Sequence, residues 1–206
     1  SCGVAQPSMA KNNGMFLMTS VLNDTLYTWH DGRVDPLYVI QTGKQAFPQK
    51  AIDDGGPYDY YPEVVSKAQK KGYSSGIERV WLTEKFGCAE YHIYRGTGTY
   101  YLNNELKEIT FHAVNYLIWD LKTRRAIHYS PAGTWGSSLF YPGRKTFCTA
   151  TENALVSCIP AYEIAGIDRA KMDDDPIYSD SRIREIVDST EENDNPVIVY
   201  YPLDSI

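Results

Sequence analysis

Thr25-Leu26-Tyr27-Thr28-Trp29-His30-Asp31-Gly32-Arg33-Val34 is the stretch whose reading decides the fold class. Its first six residues alternate in polarity and are rich in β-branched and aromatic side chains, which suit a pleated, half-buried strand. Asp-Gly follows, the strongest short hairpin signal, because the favoured two-residue turn needs positive φ at both central positions. Residues 34–41 are expected as the return strand, with Pro36 near its start, where an edge or a bulge tolerates a residue that cannot donate to the ladder. Upstream, residues 14–22 read as an apolar strand, and Gly43 closes the unit.

Similar patterning recurs along the chain. Strands are expected over 77–84, 89–94 and 99–102, with Gly96-Thr97-Gly98 as a tight turn between the last two. Residues 114–120 run through a polar turn at 121–125 into a return strand over 126–129, and 147–159 reads as another hairpin. Leu117-Ile118-Trp119-Asp120, followed by Thr123-Arg124-Arg125-Ala126-Ile127, echoes the opening stretch. Trp29 and Trp119 lie 90 residues apart, a separation that fits two propeller blades of about 40–45 residues each. Past Pro160, residues 161–171 look helical, and 181–189 carries Ile183, Ile186 and Val187 at helical spacing. Residues 197–201 close the chain as a strand. Between the first and second strand groups lies an excursion over 47–76, punctuated by Gly and Pro, with a short basic helix at 63–71.

Composition narrows the class. Tyrosine occurs 17 times beside 4 Trp and 6 Phe in 206 residues, and the net charge is −6. An acidic balance argues against general nucleic-acid binding, which needs a basic face against phosphates. No apolar run approaches the roughly 18 residues of a membrane span. The expectation is a mainly β protein of antiparallel, propeller-like blades with short C-terminal helices. It divides into a tether over 1–13 and one β-rich domain over 14–206, with the 47–76 insertion.

Ser1-Cys2-Gly3 followed by a polar stretch reads as a lipoprotein junction, with Cys2 as the acylated anchor. Cys148 and Cys158 would oppose each other in a hairpin with a three-residue loop at 152–154, at a separation a disulfide accepts; two free thiols are the alternative. No Cys or His spacing suggests zinc, and no metal or cofactor is expected. His30, His92, His112 and His128 fall outside metallohydrolase motifs, and His92 and His128 read as sheet-face residues. Asp173-Asp174-Asp175 lacks the ligand spacing of a calcium loop and reads as a solvated loop, as does Asp53-Asp54. The candidate binding residues are aromatic: Tyr58, Tyr60 and Tyr61 in the insertion, then Tyr100, Tyr101 and Trp135 near turns. Aromatics on loops supply contact area to partners, although covering a sheet end is the plainer use. Lys50, Lys67, Lys70 and Lys71 add a local positive patch beside the insertion's tyrosines.

Asn23-Asp24-Thr25-Leu26-Tyr27, then Asp31-Gly32-Arg33-Val34-Asp35-Pro36-Leu37-Tyr38, Thr42-Gly43-Lys44 and Pro48, resemble a segment of the Bacteroidota six-bladed β-propeller-like lipoproteins. The ending, Asn193-Asp194-Asn195-Pro196-Val197-Ile198-Val199-Tyr200, is similar to that family's closing strand. Family members are much longer, so the chain resembles their C-terminal half. The resemblance implies an incomplete propeller, a compact relic of one or half of an assembly, and a non-enzymatic accessory lipoprotein of the outer membrane that binds a partner or nutrient. A TonB-dependent transporter with its substrate-binding lipoprotein is the implied partner. The rival expectation is a glycan or peptide hydrolase on the same scaffold. Asp24-Thr25-Leu26, Asp188-Ser189-Thr190 and Asp204-Ser205-Ile206 fit the short Asp-Ser/Thr pattern of O-glycosylation in that phylum, marking Thr25, Ser189 and Ser205.

Overall fold

Among the described residues, alternating strands build three antiparallel sheets in which neighbours in sequence are neighbours in space, the last two strands of the third being joined through the helical segment 160–196. The computed structural model describes residues 9–12, 14–19, 23–40, 43–46, 71–102, 105–131 and 138–204. The first sheet has the order β1 (Met9–Asn12), β2 (Met15–Thr19), β3 (Thr25–His30), β4 (Arg33–Val39). The second has the order β5 (Ser74–Leu82), β6 (Phe86–Leu102), β7 (Glu105–Asp120), β8 (Ala126–Tyr129). The third runs β9 (Phe147–Ala150), β10 (Ala154–Ile159), β11 (Val197–Pro202). The protein is mainly β, and the described sheets do not close on one another.

The opening hairpin forms as its sequence demands. Asp31 and Gly32 take φ of 47° and 76°, the two left-handed positions of the turn. Pro36 sits on β4, an edge strand, next to a register shift opposite Leu26 and Tyr27, so both tolerances invoked for it apply. The echo at Trp119 is structurally real. Trp29 faces Val34 across β3–β4 and Trp119 faces Ala126 across β7–β8, the third-to-fourth-strand hairpin of each sheet. Their 90-residue separation does not span two blades, however. Among the described residues the two tryptophans lie on consecutive sheets, and the excess length comes from the 47–76 region and a long β6–β7 hairpin.

Several boundaries move. The tether expected over 1–13 carries β1, which pairs with β2 through Met9–Met18 and Lys11–Phe16. The insertion ends earlier than residue 76, because β5 begins at Ser74. Gly96-Thr97-Gly98 is no turn: β6 continues through it for 17 residues and pairs with 16 residues of β7, with a register shift between Tyr94 and Gly96. Aromatic strand residues on both sides outweigh the two glycines, whose cost inside a strand is about 1 kcal/mol each. The helix expected over 161–171 is α1 (Ala161–Ala165) followed by separate 3-10 turns. Asp168, Asp175 and Asp180 each accept from the backbone N–H two residues on, so each aspartate starts a new short helix. The last of these is α2 (Ser181–Ser189), at the bounds its spacing predicts.

The sheets stack face to face. Leu17, Leu26 and Ile40 of the first sheet region meet Ile77, Val80, Ala89, Tyr91 and Trp119 of the second. The opposite face of the second sheet, with Trp81, Phe86, Cys88, Tyr116 and Ile118, meets Phe147 and Leu155 of the third. Beyond that, Ile159 packs with Ile164, Met172, Tyr178 and Val187 of the helical segment. The middle sheet is therefore apolar on both faces, because both are covered.

Candidate functional site

A strand alternates its faces with period two, so Phe86, Cys88, Glu90 and His92 of β6 all point toward the third sheet. Two apolar residues are followed by a carboxylate in the same phase, and that carboxylate is fully buried, with 0% side-chain exposure. Burying an isolated charge is prohibitive unless it is paired and hydrogen-bonded. Glu90 is both. Arg79 of β5 donates from Nη1 to Oε1 at 2.9 Å. Tyr116 of β7 donates its hydroxyl to Oε2 at 2.9 Å. His92 Nε2 lies 3.2 Å from Oε1, and its Nδ1 lies 3.2 Å from Oε1 of Glu78. A register shift between Ile77 and Arg79 disturbs the alternation of β5 next to Glu78.

The buried charge marks its neighbours. Burial, and then the Glu90 carboxylate, push the Cys88 thiol well above its ordinary value. The same two influences, with the hydrogen bond to Glu90, keep the Tyr116 phenol protonated far beyond its usual range. Tyr116 also packs against Phe147 and Trp81, at ring-centroid distances of 4.9 and 6.4 Å. Gly143, at φ 71°, lets the 141–144 turn lie against the Tyr116 ring, where a side chain would collide with it. Tyr129 reinforces the same turn by donating to the Pro142 carbonyl at 2.7 Å.

Glu78, Glu90 and His92 place one ligand atom each within 4.8 Å of one another. Two carboxylates and an imidazole suit a divalent transition ion. The Arg79 guanidinium, however, already occupies the Glu90 oxygen that faces His92, and a cation entering there meets a fixed positive charge at contact distance. Nor do the two carboxylates form a glycoside-cleaving pair. That chemistry needs both groups to reach the sugar, and Glu90 has no exposed side-chain surface. The arrangement is a polar clamp that ties three strands of one sheet to the turn beside the third sheet.

The β6–β7 hairpin offers a different feature. β5 pairs with β6 only as far as Ile93, and β8 pairs with β7 only between Trp119 and Tyr116. From Tyr94–His112 to Leu102–Glu105, β6 and β7 pair with each other alone among the described strands. Tyr100 and Tyr101 lie near the distal end of this ribbon, opposite Lys107 and Leu106, and Leu106 is exposed.

Of the other residues singled out from sequence, Cys2, Tyr58, Tyr60, Tyr61, Trp135 and Ser205 lie outside the described residues. Cys148 and Cys158 are free thiols. Their hairpin forms with a shorter loop than expected: Thr151 bonds to Ala154, leaving Glu152-Asn153 as the two loop residues. Leu155 then faces Ala150 and Ser157 faces Phe147, with Cys148 in the bulge, its thiol against the Val156 carbonyl at 3.3 Å. Thr25 is within β3 and Ser189 ends α2, exposed. Asp175 does not belong to a solvated loop: it is buried and accepts from Tyr141 Oη at 2.8 Å, Ser138 N at 3.3 Å and Ile177 N at 3.2 Å.

Sequence reading passed over Glu90, Arg79 and Tyr116. The signal that finds the first is a charged residue at the inward phase of an otherwise apolar strand. Its partners come from strands 11 and 26 residues away and need the register.

No family model matches the chain, and no curated protein matches it. Among solved structures it is similar to the "Putative exported protein" of Bacteroides fragilis, with a TM-score of 0.55 at 13% identity. The similarity covers 93% of this chain and 48% of the other, so the chain spans about half the length of that structure. At this identity the likeness is one of fold.

Proposed function

We propose that the protein is a non-enzymatic accessory lipoprotein of the bacterial outer membrane, built as part of a β-propeller and anchored through Cys2. It binds a protein partner, with a TonB-dependent transporter and its substrate-binding lipoprotein as the complex it serves. The observation that carries this reading is the β6–β7 ribbon. An isolated two-stranded ribbon is at best marginally stable in water, yet among the described strands this one extends well past β5 and β8, with Tyr100 and Tyr101 opposite Lys107 and exposed Leu106 near its end. Paired strands ending in aromatic and apolar side chains gain stability when a partner covers them.

Two further observations agree with the reading. The buried ionisable cluster spends its hydrogen-bonding capacity internally, as a scaffold element does. The likeness to an exported protein of a Bacteroides species suits the lipoprotein junction at Ser1-Cys2.

The test uses the full precursor in a native host. Cys2→Ala should move the protein from the membrane to the soluble fraction. Replacing residues 96–109 by a short Gly-Ser turn should leave the four-stranded core of the second sheet intact while abolishing co-purification of the transporter. Unchanged recovery of the transporter with the shortened ribbon overturns the reading.

A further inference from the structure

The segment between β10 and β11 contains two consecutive 3-10 turns, Arg169–Asp174 and Pro176–Ser179, each started by an aspartate. Side chains three residues apart in such a turn lie one above the other. Asp168 is set beside Lys171 in this way, with Nζ 3.3 Å from Oδ2, and Asp175 is set on the side of Tyr178. Both pairs, together with Ser138, Leu139 and Ile167, line one cavity of about 190 Å³.

The cavity wall holds a second buried carboxylate. Asp175 is 9% exposed, Tyr178 5% and Ser138 4%. A carboxylate offers about four acceptor positions. Asp175 Oδ1 takes the Tyr141 hydroxyl and the Ile177 amide, and Oδ2 takes the Ser138 amide at 3.3 Å, so one position on Oδ2 is left. All three donors are neutral. Glu90 has Arg79 as its counter-charge; among the described residues Asp175 has none, since Lys171 is engaged by Asp168 at the exposed rim. The hydrogen bonds of Tyr178 among the described residues use its backbone, which leaves its phenol oxygen to the cavity. The Tyr141 phenol, raised first by its hydrogen bond to Asp175, also feels the Tyr178 phenol, which places that group near the carboxylate. The Ser138 hydroxyl accepts from the Phe140 amide at 3.2 Å and keeps a second lone pair.

We infer that this cavity binds the ammonium group of a primary alkylamine, with Asp175 as its counter-charge. An alkylammonium brings one charge and three N–H donors, and Asp175 Oδ2, Ser138 Oγ and Tyr178 Oη are three acceptors. Leu139 and Ile167 give an apolar wall to a short stem, and the Tyr178 ring adds cation–π attraction. The volume equals roughly six waters at about 30 Å³ each, room for a stem of about four carbons. Other classes fit less well. An anion meets the Asp175 charge. A calcium ion needs several oxygen ligands, and one carboxylate position is left here. A neutral hydroxyl leaves the buried charge uncompensated.

The test uses the full chain, amide proton–nitrogen spectra at neutral pH and n-butylamine hydrochloride as probe. The Ser138 and Ile177 amides, which bond to Asp175, should shift saturably with a Kd of about 1 mM, as suits so small a ligand. n-Butanol, with the same stem and no charge, should bind at least about tenfold more weakly. Tyr178→Phe removes one acceptor and keeps the ring, and should weaken n-butylamine about tenfold. Asp175→Asn keeps the shape and should abolish binding; if that variant does not fold, Tyr178→Phe and the butanol comparison decide. Nα-acetyl-lysine amide binding as well as n-butylamine supports the site with a partner's lysyl side chain as its source, and binding of n-butylamine alone supports it with a free amine. No saturable shift of the two amides up to about 20 mM n-butylamine overturns the inference. Equal binding of n-butanol overturns it too, as does an unchanged Kd in Tyr178→Phe or in a folded Asp175→Asn.

Discussion

The Tyr116 hydroxyl donates to the buried Glu90 carboxylate at 2.9 Å, across 26 residues of chain and between two adjacent strands. With Arg79 and His92, it makes the interior of the second sheet able to hold a charge.

Tyr116→Phe keeps the ring packing and removes one donor from that charge. Hydrogen bonds to charged groups are worth about 1.5–3 kcal/mol, so the variant should lose about that much in urea unfolding. Arg79→Met should cost more, because it leaves the buried carboxylate without its counter-charge; breaking a buried pair typically costs about 3–5 kcal/mol. The exposed half of Arg79 places the expected loss at the lower end. A double-mutant cycle should show coupling between the two changes, and strict additivity would mean that Glu90 is not their shared partner.

Stability should fall on the alkaline side. Burial raises the Tyr91 phenol, burial and Glu90 raise Tyr116, and burial pushes Tyr201 up from 10.0 to about 12. Above pH 10 the unfolded chain releases phenolic protons that the folded chain retains, so the unfolded state binds fewer protons and stability drops as pH rises. The contribution is fully present below pH 10, and for Tyr201 it is lost between pH 10 and about 12. Unfolding free energies measured across that window should decline, and Tyr201→Phe should shallow the slope. A flat profile would contradict the burial of these phenols.

Gly87 lies directly across from Trp119, and a Cβ at that position would fall within the indole ring. Gly87→Ala should therefore displace Trp119 from its contact with Tyr38, where the centroids are 5.3 Å apart, and cost about 1–3 kcal/mol as an overpacked core does. A red-shifted tryptophan emission together with a lower melting temperature is the expected readout.

Thiol labelling should proceed in a fixed order. Cys148 is exposed and Cys158 intermediate, whereas Cys88 is buried with its thiol held protonated. Of these three, a thiol reagent at mild pH should modify Cys148 first in the native protein, and Cys88 should react only on unfolding. Intact mass after alkylation without reductant should show Cys148 and Cys158 unlinked.

The sequence by itself determined the local structure wherever short-range physics decides it. Asp31-Gly32 specifies its turn because positive φ at two positions leaves few alternatives. Ser181 to Ser189 specifies its helix through Ile183, Ile186 and Val187 on one face. The alternation of β3 and the run of β11 likewise needed no partner to be legible.

Only the tertiary structure decided the rest. The register of β9 and β10 depends on whether the loop has two residues or three, and that one-residue difference moves Cys148 into a bulge. Gly96 and Gly98 read as a turn until β7 is available to pair with them. Glu90 is an ordinary charged residue until β5 and β7 bring Arg79 and Tyr116 beside it. Period-two alternation assigns a face but not what lies against it. Partners 11 and 26 residues apart are selected by strand pairing and sheet stacking, whose energies belong to contacts between distant parts of the chain.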